Sequence, residues 1–453
     1  MNIEEIYTRY LAHPEISTDT RIITSGCIYI ALKGENFNGN SFALKALELG
    51  AAYVIVDELP GNATGIDASS SPASTGDQRI IQVENCLETL QELARYHRRQ
   101  LTIPFLGITG SNGKTTTKEL IYSVLAQKFN THATKGNLNN HIGVPLTILA
   151  IKPGTEFAII EMGANHPREI ELLSSICQPS CGLITNVGHA HLEGFGGFEG
   201  VKKSKKELYD FLAREQRQSF IWSDSDDLLQ MSQALEHRFF YGSGEADKIQ
   251  GEVLSADPFL HVRWKQNVLP PAATDAARSF DVQTQLTGSY NLPNVLAAVS
   301  IGAYFGLTPV EINRGLKSYQ PANNRSQLQK SGHNELILDF YNANPSSMQA
   351  ALDNLEQLTH PQKMVILGDM FELGDESARE HEAILRSVRK MNLPKALLIG
   401  PAFMKERHLL PAGIFFESAA EAEVYLQAME FEGYLILIKG SRGMKLEKLQ
   451  PYL

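Results

Sequence analysis

The sequence predicts an α/β protein of more than one domain, with a phosphate-binding loop in its central part. Three observations carry this. Short continuous apolar runs alternate with stretches of helical periodicity, the pattern of parallel sheets covered on both faces. The chain has 453 residues, against a soft norm of roughly 150 per domain. Between one apolar run and one helical stretch lies Thr109-Gly110-Ser111-Asn112-Gly113-Lys114-Thr115-Thr116, a glycine-rich turn in a strand–turn–helix frame.

Composition excludes several function classes. The formal net charge is -10, and no domain-wide basic excess marks a nucleic-acid footprint, so no nucleic-acid partner is expected. The N-terminus, MNIEEIYTRY, lacks the basic and apolar regions of a secretion signal. No apolar run approaches the ~18 residues of a membrane span. A cytoplasmic protein with no membrane insertion is expected. Cys27, Cys86, Cys177 and Cys181 form no CxxC pair. Cys177 and Cys181 could share a helix face, but no histidine lies at metal-ligand spacing beside them. They read as buried thiols in a reducing compartment.

The first domain is expected over residues 1–100. Strands are predicted at 27–32 and 52–56 and a helix at 41–49, closed by Gly50. Residues 61–78, rich in Ser, Gly, Ala and Asp, read as a surface loop. A helix at 84–100 carries Leu87, Leu90, Leu93 and Ala94 on one face and ends in His97-Arg98-Arg99, leading into the next domain.

The second domain is expected over 101–318. A strand at 105–109 feeds the glycine-rich turn, and a helix follows from about Lys114 to Phe129. Glycines let backbone N–H groups converge on an anion. Lys114 would face the outer phosphates, and the Thr115 hydroxyl is a natural Mg²⁺ ligand. Ile108 stands where the strict phosphate-loop pattern has glycine, so a turn without a ligand is the competing reading. Further buried strands are predicted at 157–161 and 182–186. Residues 250–287 read as a β-rich excursion with a Pro-Pro-Ala-Ala-Thr turn, and 291–305 as a helix.

Glu161 ends its predicted strand on the side where open α/β sheets bind ligands. It could hold Mg²⁺ or simply cap or pair. His189 and His191 follow the next strand, as metal ligands or as polar loop residues. Lys202, Lys203, Lys205 and Lys206 crowd into five residues, the usual mark of a solvated face. Spacing alone leaves open which of them turns inward. The third domain is expected over 319–453, with strands at 336–339, 364–367, 396–399 and 434–438.

These residues resemble a known family. Thr109–Thr116, Glu161, Asn186–Glu193 (NVGHAHLE), Gly288–Asn294 (GSYNLPN) and Arg325 look like the Mur ligases of peptidoglycan synthesis. Tyr341–Met348 (YNANPSSM), Leu367–Gly374 (LGDMFELG) and Lys439–Arg442 (KGSR) are similar to the branch of that family that adds D-alanyl-D-alanine to UDP-N-acetylmuramoyl tripeptide. Asp19-Thr20-Arg21, Ala31–Gly34 and Phe37–Phe42 resemble its nucleotide-sugar domain, and Gly136–Leu149 fits it too.

The resemblance implies the three-domain Mur ligase architecture: a UDP-sugar domain, a P-loop ATPase centre and a Rossmann-like C-terminal lid. It implies an ATP-dependent ligase, monomeric and cytoplasmic, that forms an acyl phosphate and uses Mg²⁺. Gly110, Ser111, Asn112, Gly113, Lys114, Thr115 and Thr116 would bind ATP, with Asn294 at adenine, Asp339 at ribose and Arg325 at the phosphates. Thr115, Glu161 and His191 would hold Mg²⁺, joined by Lys205, which aligns with the lysine the family carbamylates. Carbamylation turns a cation into a carboxylate and needs a neutral amine, so a depressed pKa is expected there. Lys114, Lys205, His191 and Arg325 form the implied catalytic set. Thr20, Arg21, Lys33, Asn38, Asn139 and Asn140 would face the nucleotide-sugar substrate. Tyr290 stands in place of the family's usual histidine, and Asn38 and Asn40 in place of a common Asp and His. An Asn-Lys-x-Asp guanine motif, which would favour a GTPase-type switch, does not occur in the sequence.

Overall fold

A computed structural model describes residues 1–59, 77–267, 279–321, 325–429 and 431–453. Most of the loop expected over 61–78, and the Pro-Pro-Ala-Ala-Thr turn, lie outside these residues. The chain forms two compact units. One comprises Met1–Gly107, Asn130–Gly163 and Glu171–Ser180; the other comprises Ile108–Phe129, Ala164–Ile170 and Cys181–Leu453.

In the first unit, strands Ile16–Ser17, Ile28–Ile30, Tyr53–Val56 and Ile80–Gln82 pair in that order, all parallel. The apolar runs Ile28–Ile30 and Val54–Val56 are fully buried, as continuous apolar strands require. Asn85 caps the helix Cys86–Gln100 by accepting from the N–H groups of Leu87 and Glu88. Strand Phe157–Glu161 pairs in parallel with Thr131–Ala133 and carries Glu161 at its carboxyl end.

In the second unit, strands Cys181–Ile184, Gln218–Trp222, Arg238–Gly242 and Ile249–Ser255 pair in parallel. Strands His261–Gln266 and Ser279–Gln283 continue antiparallel, the β-rich excursion read from alternation. A six-stranded sheet follows, in the order Gln327–Ser331, Asn334–Leu338, Leu435–Lys439, Lys363–Gly368, Lys395–Ile399 and Ile414–Phe416. Only its first pair is antiparallel. Alternate residues of its strands enter two cores. Ile337, Val365, Leu398 and Leu437 face one side, and Leu336, Met364, Leu397 and Ile436 the other.

The shared helix face allowed for Cys177 and Cys181 does not form. Cys177 closes one helix and Cys181 opens a strand, because Pro179 between them cannot continue the helix. All four cysteines are buried, and none forms a disulfide. No helix among the described residues is long and apolar enough to cross a membrane.

Candidate active site

The phosphate loop joins strand Phe105–Thr109 to helix Lys114–Leu125. Two glycines make its path possible. Gly110 has φ +145° and would place a Cβ 2.0 Å from the Thr185 hydroxyl oxygen; Gly113 has φ +76° and would place one 2.8 Å from the Asn294 side-chain oxygen. Backbone and side chains then lace the loop to residues 185–188. The Asn112 N–H donates to Asn186 Oδ1 (2.9 Å), and Asn186 Nδ2 donates back to the Asn112 carbonyl (3.0 Å). The Thr185 hydroxyl donates to that carbonyl too (2.6 Å). The Ser111 hydroxyl donates to the Gly188 carbonyl and accepts from the Gly188 N–H. Lys114 Nζ folds back on the Gly110 and Ser111 carbonyls at 2.7 and 3.2 Å. Thr115 is buried and Thr116 half-buried.

Asn294 is 7% exposed. Its Oδ1 accepts from the Thr117 hydroxyl (3.0 Å), and its Nδ2 donates to Asn291 (2.8 Å). It therefore packs against the start of the phosphate-loop helix.

The lysine cluster separates cleanly. In helix Phe198–Arg214 the buried stripe is Val201, Ser204, Lys205, Leu208 and Leu212. Lys202 pairs with Asp227 at 2.9 Å, Lys206 pairs with Asp210, and Lys203 is exposed. Lys205 alone turns inward, 1% exposed, with Nζ 3.3 Å from the Ala164 carbonyl and 5.1 Å from the Phe195 ring centroid. Burial, and then the positive charge of Lys114, push its amine down to about 7.

His191 has φ +54° and its Nδ1 is hydrogen-bonded to the Glu372 carboxylate. A carboxylate only accepts, so Nδ1 carries the proton and Nε2 keeps its lone pair. Burial lowers the ring's pKa, opposed by Glu372 and reinforced by Lys114 and Lys205. His189 lies beside Glu380 (3.5 Å), and its N–H donates to the Ser346 hydroxyl (2.9 Å). Asn344 caps helix Pro345–Gln357 and donates through Nδ2 to the Asn112 side chain at 2.7 Å. Leu192 and Phe195 share a core with Met370 and Leu373.

Asp339 follows strand Asn334–Leu338 directly. It is paired with Lys439 Nζ at 2.6 Å and accepts from the Ser326 N–H (3.3 Å). The Arg325 guanidinium lies over the Tyr341 ring, 3.6 Å from its centroid. Tyr290 donates to or accepts from the Ser326 hydroxyl at 2.8 Å.

In the first unit, Glu161 is 2% exposed, and Asn139 Nδ2 donates to its Oε1 at 2.8 Å. Asn140 Oδ1 accepts from the N–H groups of Ile142 and Gly143, which commits it to the entry of helix Gly143–Leu149. Lys33 pairs with Asp57 (2.9 Å) and Glu58 (2.7 Å), and Asn38 Nδ2 donates to Glu58 (2.8 Å). Asn40 joins them through Asn38 and Asp57. Thr20 and Arg21 form a separate turn, capped by Asp19, whose carboxyl the Arg21 guanidinium holds down at about 2.

The sequence reading missed Glu372, Asn344, Ser346 and Lys439 as site residues. They lay within quoted motifs, but each meets its partner only through tertiary structure.

The chain matches three family models: Mur ligase family, catalytic domain, over residues 14–98; Mur ligase middle domain, over 108–302; and Mur ligase, glutamate ligase domain, over 324–442. It is 34% identical to UDP-N-acetylmuramoyl-tripeptide–D-alanyl-D-alanine ligase of Bacillus subtilis (strain 168), over 99% of this chain and 96% of that protein. Among solved structures, MurF from Acinetobacter baumannii is similar at 30% identity and TM-score 0.83, covering 96% of this chain and 92% of its own. MurF ligase from Thermotoga maritima in complex with ADP is similar at 25% identity and TM-score 0.80, covering 96% of each chain.

Proposed function

The chain belongs to the Mur ligase family, and from that premise we propose that it joins D-alanyl-D-alanine to UDP-N-acetylmuramoyl tripeptide at the expense of ATP, a step of peptidoglycan precursor synthesis. Its architecture is the three-domain one of the family, with boundaries that we place near residues 100 and 318. The observation that carries this reading is a phosphate loop laced to residues 185–188, with one lysine of the following cluster, Lys205, turned inward and buried.

The tripeptide's terminal carboxylate attacks the γ-phosphorus of ATP. ADP leaves, and an acyl phosphate remains. The dipeptide amine then attacks the acyl carbon and expels phosphate. Lys114 and Arg325 offset the charge that spreads over the transferring phosphoryl oxygens. Residues 110–116 bind ATP, with Asn294 and Asp339 serving adenine and ribose. Thr20, Arg21, Lys33, Asn38, Asn139 and Asn140 serve the nucleotide-sugar substrate. Asn140 does so in addition to accepting from the Ile142 and Gly143 N–H groups.

Mg²⁺ fits the donor set. Among the described residues no cluster of three or more His, Cys, Asp or Glu forms a ready-made cage. Mg²⁺ is typically held by one or two carboxylates together with substrate phosphates, and buried Glu161 is such a carboxylate. Thr115, Glu161, His191 and, once carbamylated, Lys205 are the residues that would hold it. When bound, it supplies charge neutralisation at the phosphates. The neutral amine that carbamylation needs is what burial of Lys205 favours. We place the protein in the cytoplasm, as a monomer acting on small molecules.

The test is ADP release with ATP, Mg²⁺ and UDP-N-acetylmuramoyl tripeptide, with and without D-alanyl-D-alanine. Strong release only with both, with a pentapeptide product by mass, is expected. Release that ignores both substrates would overturn the substrate assignment.

A further inference from the structure

Two arginines flank one tyrosine ring at the carboxyl edge of the C-terminal sheet. The guanidinium carbons of Arg325 and Arg442 lie 3.6 and 5.2 Å from the Tyr341 centroid. Among the described residues, no carboxylate pairs with either. Cation–π attraction at an exposed site is worth only about 0.5–1 kcal/mol, and it leaves two like charges close together without a counter-ion. Such an arrangement is completed by an anion.

Three loops frame the place. Tyr341 follows strand Asn334–Leu338, and Arg442 follows its parallel neighbour Leu435–Lys439. On the other side of that strand, Lys363–Gly368 leads into Phe371. The Phe371 N–H donates to the Ser441 hydroxyl (2.9 Å), and its ring lies so close over Gly443 that a Cβ there would be 2.6 Å away. Arg442 is exposed, and Phe371 is 46% exposed. This is the edge at which parallel sheets present their ligands. The next residue after Phe371 is Glu372, the partner of His191.

Arg325 precedes Ser326, which donates its N–H to Asp339, so it belongs with the nucleotide-binding side of the site. Arg442 instead packs on the Tyr341 ring, in a loop whose flanking residues Ser441 and Gly443 touch Phe371. A dipeptide of two alanines offers one carboxylate for a guanidinium and two methyl groups for aromatic walls. Resting on the ligase reading above, we propose that Arg442 binds the terminal carboxylate of the incoming dipeptide and selects acceptors whose C-terminus is free.

The test uses the full chain with saturating ATP, Mg²⁺ and UDP-N-acetylmuramoyl tripeptide, and varies the acceptor. D-alanyl-D-alanine is compared with its C-terminal amide for wild type, Arg442→Gln and Arg442→Lys. Wild type should show a KM for the amide about thirtyfold above that for the acid, the scale of one charged hydrogen-bonded pair. Arg442→Gln should raise the KM for the acid by about the same factor and leave those for the amide and for ATP nearly unchanged, so the discrimination collapses. Arg442→Lys should recover part of it. A variant that keeps the wild-type acid-to-amide ratio, or whose KM for ATP rises in step with that for the dipeptide, overturns the assignment. Wild type that turns over neither acceptor sinks the ligase reading itself, and this inference with it.

Discussion

The carboxylate of Glu372 is hydrogen-bonded to Nδ1 of His191, and both residues hold positive φ, +61° and +54°. Two non-glycine residues in this strained region meet where the C-terminal segment touches the loop after strand Cys181–Ile184. The pairing sets the His191 tautomer and aims Nε2 away from Glu372, the usual way a carboxylate orients a metal-ligating imidazole. Glu372→Ala should therefore raise the Mg²⁺ concentration for half-maximal activity by about 10-fold or more. The KM for UDP-N-acetylmuramoyl tripeptide should change little. A Mg²⁺ titration of initial rates reads this, and an unchanged titration would remove Glu372 from the site.

Lys205 presents the one inward-facing amine of its cluster. Lys205→Ala should lose at least about 100-fold in ADP formation, the scale of losing an oriented charged group at a phosphoryl-transfer site. Short carboxylates such as acetate or formate should restore part of it, since they supply the negative oxygen that a carbamylated lysine would. Rates measured with and without added acetate decide the matter. A variant as active as wild type would return Lys205 to a packing role.

His97 makes a pH prediction for the first unit. Its Nδ1 lies 3.1 Å from the Tyr7 hydroxyl, and Nε2 is buried without a hydrogen-bond partner. Burial pushes the ring down to about 4. The unfolded chain takes up this proton near the ordinary value of about 6.5, before the folded chain does. The associated stability is thus fully present above about 6.5 and is lost as pH falls toward 4. His97→Phe should flatten this acid limb by about 1–2 kcal/mol, less than the full shift implies because solvent partly screens the ring. Thermal melts of both proteins between pH 7 and pH 4.5 test it; parallel melting curves would contradict it.

Much of the fold was legible because its strands are buried on both faces and read as unbroken apolar runs. Phe157–Glu161 lies where the run places it, and four strands of the C-terminal sheet fall within two residues of their expected ends, while its edge strands Gln327–Ser331 and Ile414–Phe416 were not expected. Spacing alone did not single out Lys205, because the inner face of its helix is fixed only by the fold. Val201, Leu208 and Leu212 mark the buried stripe of its helix, and Lys205 sits on that stripe at helical spacing. Glu372 was not legible, because its positive φ is carried by a residue type that gives no hint of it. The Arg325–Tyr341–Arg442 stack brings Arg442 to a ring from the other end of the C-terminal sheet's sequence, and no local pattern encodes such a meeting. Asn140 has a structural engagement that its motif did not reveal: its Oδ1 accepts from the N–H groups of Ile142 and Gly143.

The tip of the phosphate loop is braced from far along the chain. Asn344 reaches Asn112 across a separation of 232 residues. At a ribosomal pace of roughly 5–20 residues per second, the loop leaves the peptidyl-transferase centre roughly 12–46 seconds before its brace is made. In the later part of that interval, once residues 185–188 have been made, the phosphate loop has their side of the lacing but not its brace. Competence to hold a nucleotide in the finished geometry is thus acquired late in synthesis, and chains released before residue 344 never acquire it.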